Sequence, residues 1–151
     1  MALGAAGDSS DVVWLKDLAG EPRDATMINC ALGDAIVRLG HSQSTADEPV
    51  MWCQRQSIDL LDEGAQRATA LLKLVPRDPT VNELISKAES RLWDPEHPHD
   101  LLGLWVVIAA AGWRGERVDV FLDRCLYDRR DEVAKAASEA QQGRYMKMSY
   151  L

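Results

Sequence analysis

The chain has 151 residues, of which 46% are hydrophobic and 27% charged, and its formal net charge is −7. The length matches one ordinary domain, and this hydrophobic fraction excludes the composition of a disordered chain. The acidic balance argues against a nucleic-acid surface, because the densest group of arginines, between Arg114 and Arg130, is interleaved with acidic residues.

The first helices are predicted from short apolar repeats. Residues 1–10 lack the basic start and apolar run of a signal peptide, so we expect a flexible leader there. A short helix is predicted over Asp11–Leu18, with Gly20 ending it. From Asp24 to Leu39, apolar residues recur at three- and four-residue steps, which predicts a longer helix that stops at Gly40.

The next segment is predicted as a loop followed by one long helix. Residues 40–48 are polar and rich in turn formers, and Pro49 suits a first helical turn. Apolar positions then keep helical phase as far as Val75, across Gly64. A break at Asp62–Gly64 is the alternative to a continuous helix.

Another helix is predicted to start near Asp78, after Pro76. Thr80 and Glu83 have the spacing of a capping box. One face of this helix is predicted to be buried, and it consists of Val81, Leu84, Ile85, Ala88 and Leu92.

The last helices follow a linker. Leu101–Ala111 is almost continuously apolar, but it is about half the length that a membrane span requires, so a buried helix is predicted. Further helical stripes occur between Val118 and Leu126 and between Val133 and Ala140, as one helix or two. Alternating strand patterns are missing from the sequence. The predicted fold is therefore all-α, a single compact domain of six or seven packed helices.

The linker before Leu101 holds the densest group of possible metal ligands, namely Asp94, Glu96, His97, His99 and Asp100. Histidines two residues apart in an extended segment point to opposite sides, which argues against a metal site. A solvated linker in which Asp100 caps the following helix is the favoured interpretation, and we predict neither metal nor cofactor.

The sequence offers no recognisable catalytic group. Cys30, Cys53 and Cys125 are far apart and lie in apolar-periodic stretches, which predicts buried thiols in a reducing cytoplasm. A nucleophile also needs an oriented base beside it, and no spacing here supplies one. We predict no catalytic residues, and an enzyme is the less favoured class.

Aromatic residues suggest where a partner could bind. Five tryptophans accompany a single phenylalanine, and one or two of them could lie at an interface. The C-terminal tail, residues 143–151, combines apolar and aromatic side chains that either pack back on the domain or contact a partner. The predicted partner-binding residues are Tyr145, Met146, Met148, Tyr150 and Leu151.

A family resemblance covers less than half of the chain. Its features are Trp52-Cys53 at a helix start, an alanine-rich helix running into Val75–Thr80, and Gly112–Gly115 after an apolar helix. On these features the chain resembles a family of small helical bacterial proteins of unknown function, some encoded near type VI secretion genes. The Arg114–Gly115 pair stands where members of that family tend to have small residues. The resemblance implies a bacterial, secretion-related context and no catalytic residues.

These observations predict a cytoplasmic, non-enzymatic interaction module. It would be an adaptor, a chaperone or a structural component of a bacterial assembly, with a protein partner or a second copy of itself and without membrane insertion. A toxin-neutralising immunity protein is one alternative, because an acidic domain attracts a cationic toxin. A small metal-dependent hydrolase built on the linker is the other.

Overall fold

The computed structural model describes residues 7–21 and 26–148, and every regular element within them is helical. The described residues form eight α-helices: α1 Asp11–Ala19, α2 Thr26–Gly40, α3 Asp47–Arg55, α4 Asp59–Leu71, α5 Asp78–Leu92, α6 Leu104–Ala109, α7 Glu116–Leu126 and α8 Asp131–Gln141. A single 3₁₀ turn, Ala110–Gly112, follows α6. The all-α class is confirmed, with slightly more helices than the six or seven expected. Most of the predicted leader, residues 1–6, lies outside the described residues.

The helices fall into two compact units. One lies within residues 1–72 and contains α1 to α4, and the other lies within residues 73–151 and contains α5 to α8. In the first unit α2 packs most closely on α4, and in the second α8 packs on both α6 and α7. Each unit buries its own apolar helix faces. That the whole chain forms one domain stays a prediction.

Two glycines let α2 and α4 touch backbone to backbone. A Cβ atom on Gly33 would lie 1.8 Å from the carbonyl oxygen of Leu61, and one on Gly64 would lie 2.0 Å from that of Cys30. Real Cβ atoms essentially never approach oxygen so closely, so both positions require glycine for steric reasons. Gly64 therefore serves the packing of α4 and does not break it.

The predicted long helix from Pro49 to Val75 is wrong. The chain leaves the helical conformation between Arg55 and Asp59, where Gln56 is extended, with a ψ of 144°. The Gln56 side chain donates to the carbonyl oxygen of Trp52 at 3.0 Å and so satisfies one acceptor at the end of α3. The alternative break at Asp62–Gly64 is wrong too, because α4 runs through it.

The buried face predicted for α5 is confirmed, since Val81, Leu84, Ile85, Ala88 and Leu92 are all at most 5% exposed. The predicted capping box is wrong. Helix α5 begins at Asp78, with Pro79 in its first turn, so Thr80 lies inside the helix, where it is buried. Pro79 lowers the cost of starting the helix because its fixed φ already matches a helical turn.

Helix α6 is shorter than the apolar run that predicts it. Gly103 has a φ of 101°, a left-handed conformation that delays the helix until Leu104. The α7 and α8 stripes are two helices, separated by residues 127–130. None of the helices in residues 7–21 and 26–148 is long and apolar enough to cross a membrane.

Candidate binding cleft

An open cleft lies in the second unit, between the linker that follows α5 and the loop that joins α7 to α8. Its volume is about 710 Å³. The residues that line it are Leu92, Trp93, Asp94, Pro95, Pro98, Arg124, Tyr127, Asp128, Arg129 and Arg130. Aromatic, proline and charged side chains therefore share one concave surface. This cleft is the candidate functional site.

An ion pair forms the floor of the cleft. The guanidinium of Arg130 donates from Nε to Asp128 Oδ1 at 2.7 Å and from Nη2 to Oδ2 at 2.6 Å, in a bidentate pair. Trp93 Nε1 donates to Asp128 Oδ2 at 3.0 Å. The hydrogen bonds from Arg130 lower the pKa of Asp128 to about 2. Asp128 is therefore ionised at neutral pH and oriented by two elements.

Arg130 also forms hydrogen bonds with the backbone of the linker and of the end of α5. Arg130 Nη1 donates to the carbonyl oxygen of Asp100 and Nη2 to that of Leu92, both at 2.6 Å. Arg129 Nη2 donates to the carbonyl oxygen of Pro98 at 3.2 Å. Carbonyls at the end of α5 and along the linker thus receive partners from one loop. The cleft wall is held in a defined position although the linker has no regular structure.

The open side of the cleft carries an arginine stacked on a tryptophan. The Cζ atom of Arg124 lies 3.5 Å from the centre of the Trp93 ring, and Trp93 also meets Phe121 edge to face at 6.2 Å. Tyr127 is 90% exposed at the rim. The site therefore presents a supported aromatic base, a stacked cation and an exposed aromatic ring.

The linker brings together three of the five predicted metal-ligand candidates. Asp94, Glu96 and His97 each offer a ligand atom, and these atoms lie within 4.8 Å of one another. His97 Nδ1 lies 3.0 Å from Asp94 Oδ2, and this hydrogen bond is the largest cause of the lowered pKa of Asp94. His99 is exposed and lies outside the group.

The prediction that Asp100 caps the following helix is wrong. Its Oδ1 accepts from the backbone N–H of Leu102 at 2.8 Å, which closes the turn that precedes Gly103. Gly103 delays the start of α6 until Leu104. The carboxylate of Asp100 therefore stabilises the turn before the helix and does not contact the first turn of the helix itself.

The tail begins by packing on the second unit. A Cβ on Gly112 would lie 2.1 Å from the hydroxyl oxygen of Tyr145, so this ring occupies the space that glycine leaves open. Lys73 Nζ lies 5.1 Å from the centre of the same ring, and burial raises the pKa of Tyr145. Arg144 forms a bidentate pair with Glu139, at 2.7 and 2.9 Å.

The other predicted partner-binding residues are less constrained. Met146 and Met148 are half-buried, and Tyr150 and Leu151 lie outside the described residues. Their role in partner binding stays a prediction.

The cysteines lie where their thiols are protonated. Burial raises the pKa of Cys53 and of Cys125 to about 12 and also raises that of Cys30, which is only half-buried. Protonated thiols are poor nucleophiles. The prediction of buried cysteines is confirmed for Cys53 and Cys125.

The tryptophans differ in their surroundings. Trp113 is buried and donates from Nε1 to the carbonyl oxygen of Leu74 at 2.9 Å, whereas Trp14 is 50% exposed. Sequence reasoning did not single out the combination of Trp93, Arg124 and Tyr127. The spacing of Arg124 and Tyr127, three residues apart and near the end of one helix, was a signal that they share a face.

Comparison of the chain with protein-family models, curated proteins and solved structures finds no match. The features that point to function are therefore those of the cleft itself.

Proposed function

We propose that this protein is a non-enzymatic interaction module of the cytoplasm that binds a partner protein in the cleft. The observation that carries the proposal is Tyr127, which is 90% exposed at the rim beside the Arg124–Trp93 stack. Tryptophan, tyrosine and arginine are the residue types that dominate binding energy at protein interfaces. A tyrosine ring with so little burial contributes little to its own fold and is available to a partner.

The fixed wall of the cleft supports this proposal. Arg130 pairs with Asp128 and with two backbone carbonyls, so the ring of Trp93 is oriented before any partner arrives. A preorganised surface loses less conformational entropy on binding, which improves affinity.

The cellular role that we propose is that of an adaptor, chaperone or structural component of a bacterial assembly related to secretion. This part rests on the family resemblance of residues 52–117. The tail residues Tyr145, Met146, Met148, Tyr150 and Leu151 would supply a second contact, to the same partner or to another copy of the chain.

Capture from the native host, followed by mass spectrometry, tests the proposal. Tagged wild-type protein should recover a partner that Tyr127→Ala recovers at least about tenfold less well, as expected for loss of an aromatic contact that carries much of the binding energy. Val120→Ala is the matched control, because Val120 is 56% exposed on α7 and does not line the cleft. Equal recovery by all three proteins would show that the cleft is not the binding site.

Two other functions have an observation in their favour. Residues 1–72 hold 11 acidic and 5 basic side chains, a balance suited to neutralising a cationic toxin. Protection of cells that express a neighbouring toxin gene would support the immunity function.

The Asp94, Glu96 and His97 group is the observation that favours a metal-dependent hydrolase. Metal bound stoichiometrically by wild type and lost from the His97→Ala, His99→Ala double variant would support the hydrolase function.

A further inference from the structure

Arg124 and Arg129, two arginines of the cleft, form no hydrogen bond with a carboxylate or a buried acceptor among the described residues. Within residues 7–21 and 26–148, Arg124 contacts the ring of Trp93 and Arg129 donates one hydrogen bond, to the carbonyl oxygen of Pro98. Both side chains are exposed. An arginine has five N–H donors, so most of the donors on these two residues face solvent.

The acidic residues that line the cleft are already engaged. Asp128 accepts from Arg130 and Trp93, and Asp94 accepts from His97 and from the backbone N–H of Glu96 at 2.9 Å. The residues that line the cleft include three arginines and two aspartates, a net charge of +1 in a chain whose net charge is −7. Asp128 pairs with Arg130 and Asp94 bonds His97, so neither carboxylate is paired with Arg124 or Arg129.

We propose that the cleft binds an acidic segment of a partner polypeptide, whose carboxylates pair with Arg124 and Arg129 while a neighbouring apolar side chain rests on Tyr127. This inference rests on the proposed function and names the chemistry of the partner. Guanidinium groups bind carboxylates through two parallel hydrogen bonds. Stacking on Trp93 holds the Arg124 guanidinium plane in place and leaves its N–H edges open to such a pair.

The other walls of the cleft favour a peptide over a small anion. Pro95, Pro98 and Tyr127 present apolar surface beside the two cations, and the volume of about 710 Å³ is far larger than one carboxylate group. A polypeptide segment supplies acidic and apolar side chains at neighbouring positions. The occupant therefore has to combine both kinds of group.

The test is fluorescence anisotropy at low salt with the full-length protein. The probe is a fluorescein-labelled peptide of alternating glutamate and tyrosine, and the matched peptide carries glutamine at every glutamate position. Wild type should bind the glutamate peptide at least about tenfold more tightly than the glutamine peptide. The double variant Arg124→Ala, Arg129→Ala should lose at least about tenfold in affinity for the glutamate peptide.

Two controls keep the result interpretable. Arg55→Ala removes an exposed arginine at the end of α3 and should leave the peptide affinity unchanged. Arg124→Gln keeps a side chain over Trp93 without the charge, so it should weaken binding even if the double variant proves unstable in a melting experiment.

Several outcomes would overturn the inference. They are equal binding of the two peptides, competition by glutarate as effective as competition by unlabelled peptide, and tighter binding of a single-stranded oligonucleotide. If Tyr127→Ala still abolishes partner capture while no acidic peptide binds, the interaction function stands and the acidic chemistry is wrong. If neither capture nor peptide binding depends on cleft residues, both proposals fail.

Discussion

The carboxylate of Asp128 accepts hydrogen bonds from two side chains that come from different elements. Trp93 follows the end of α5, and Arg130 precedes α8. The Asp128 and Arg130 side chains are only 3% and 10% exposed. A pair so well shielded from water interacts more strongly than a surface ion pair, and it stays favourable only because further hydrogen bonds satisfy both groups.

Asp128→Asn should lower the free energy of unfolding by about 2 kcal/mol at pH 7, the magnitude that corresponds to a pKa lowered from 3.8 to about 2. Because the pKa is lower in the folded state, this stability is present above the unfolded-state pKa and is lost as the pH falls towards 2. The difference between variant and wild type should therefore fall to about half of its neutral-pH value by pH 3 and be mostly lost by about pH 2.

Urea unfolding across this pH range measures the effect, with Asp119→Asn on exposed α7 surface as the control. A variant that is as destabilised at pH 3 as at pH 7 would show that the Asp128 charge does not hold the loop.

At the scale of elements, the closest contact is that between α2 and α4. In a sequence, glycine predicts mainly the end or a break of a helix, yet Gly33 and Gly64 lie inside helices and are buried. Their role follows from two segments meeting in space, which the periodicity of one segment does not reveal. The break at residues 56–58 is not predicted from the sequence because Gln56-Ser57-Ile58 contains neither glycine nor proline, the residues that usually mark the end of a helix.

Gly33→Ala should destabilise the first unit by about 3 kcal/mol or more, because the new methyl group meets helix backbone that cannot move away cheaply. Gly20→Ala is the matched control. Gly20 has a φ of −74°, and a Cβ added there would come no closer than 3.4 Å to its nearest neighbour, so its effect should stay within about 1 kcal/mol. Thermal and urea unfolding measure the stability of both variants. Similar losses of stability in Gly33→Ala and Gly20→Ala would mean that α2 and α4 are not in backbone contact.

Truncation after Gly143 should weaken partner binding or self-association by more than about tenfold and lower Tm by only a few degrees. The tail contacts of the second unit include the half-buried Tyr145 ring and an exposed ion pair, and an exposed ion pair contributes little. Calorimetric melting and a binding assay on the same protein separate the two effects. A large loss of Tm with unchanged affinity would place the tail in the core.

For the molecule as a whole, sequence patterns predicted the helical class and the buried faces of α5, α7 and α8. These properties depend on local periodicity, and residues such as Ile85 and Phe121 are buried where that periodicity places them. The cleft was not predicted, because Trp93 meets Arg124 and Asp128 only once α5 and α7 have packed. The composition of the linker indicates metal ligands, whereas in the structure Arg129 and Arg130 donate hydrogen bonds to its backbone carbonyls.

The measurement that tests the central claim most directly is the Kd of the captured partner for wild type, Tyr127→Ala and Val120→Ala, by isothermal titration calorimetry. Loss of the exposed ring should cost about 2 kcal/mol, a weakening of about thirtyfold, and Val120→Ala should bind as wild type does. A Tyr127→Ala protein that binds its partner within about twofold of wild type would contradict the assignment of the cleft as the interaction site.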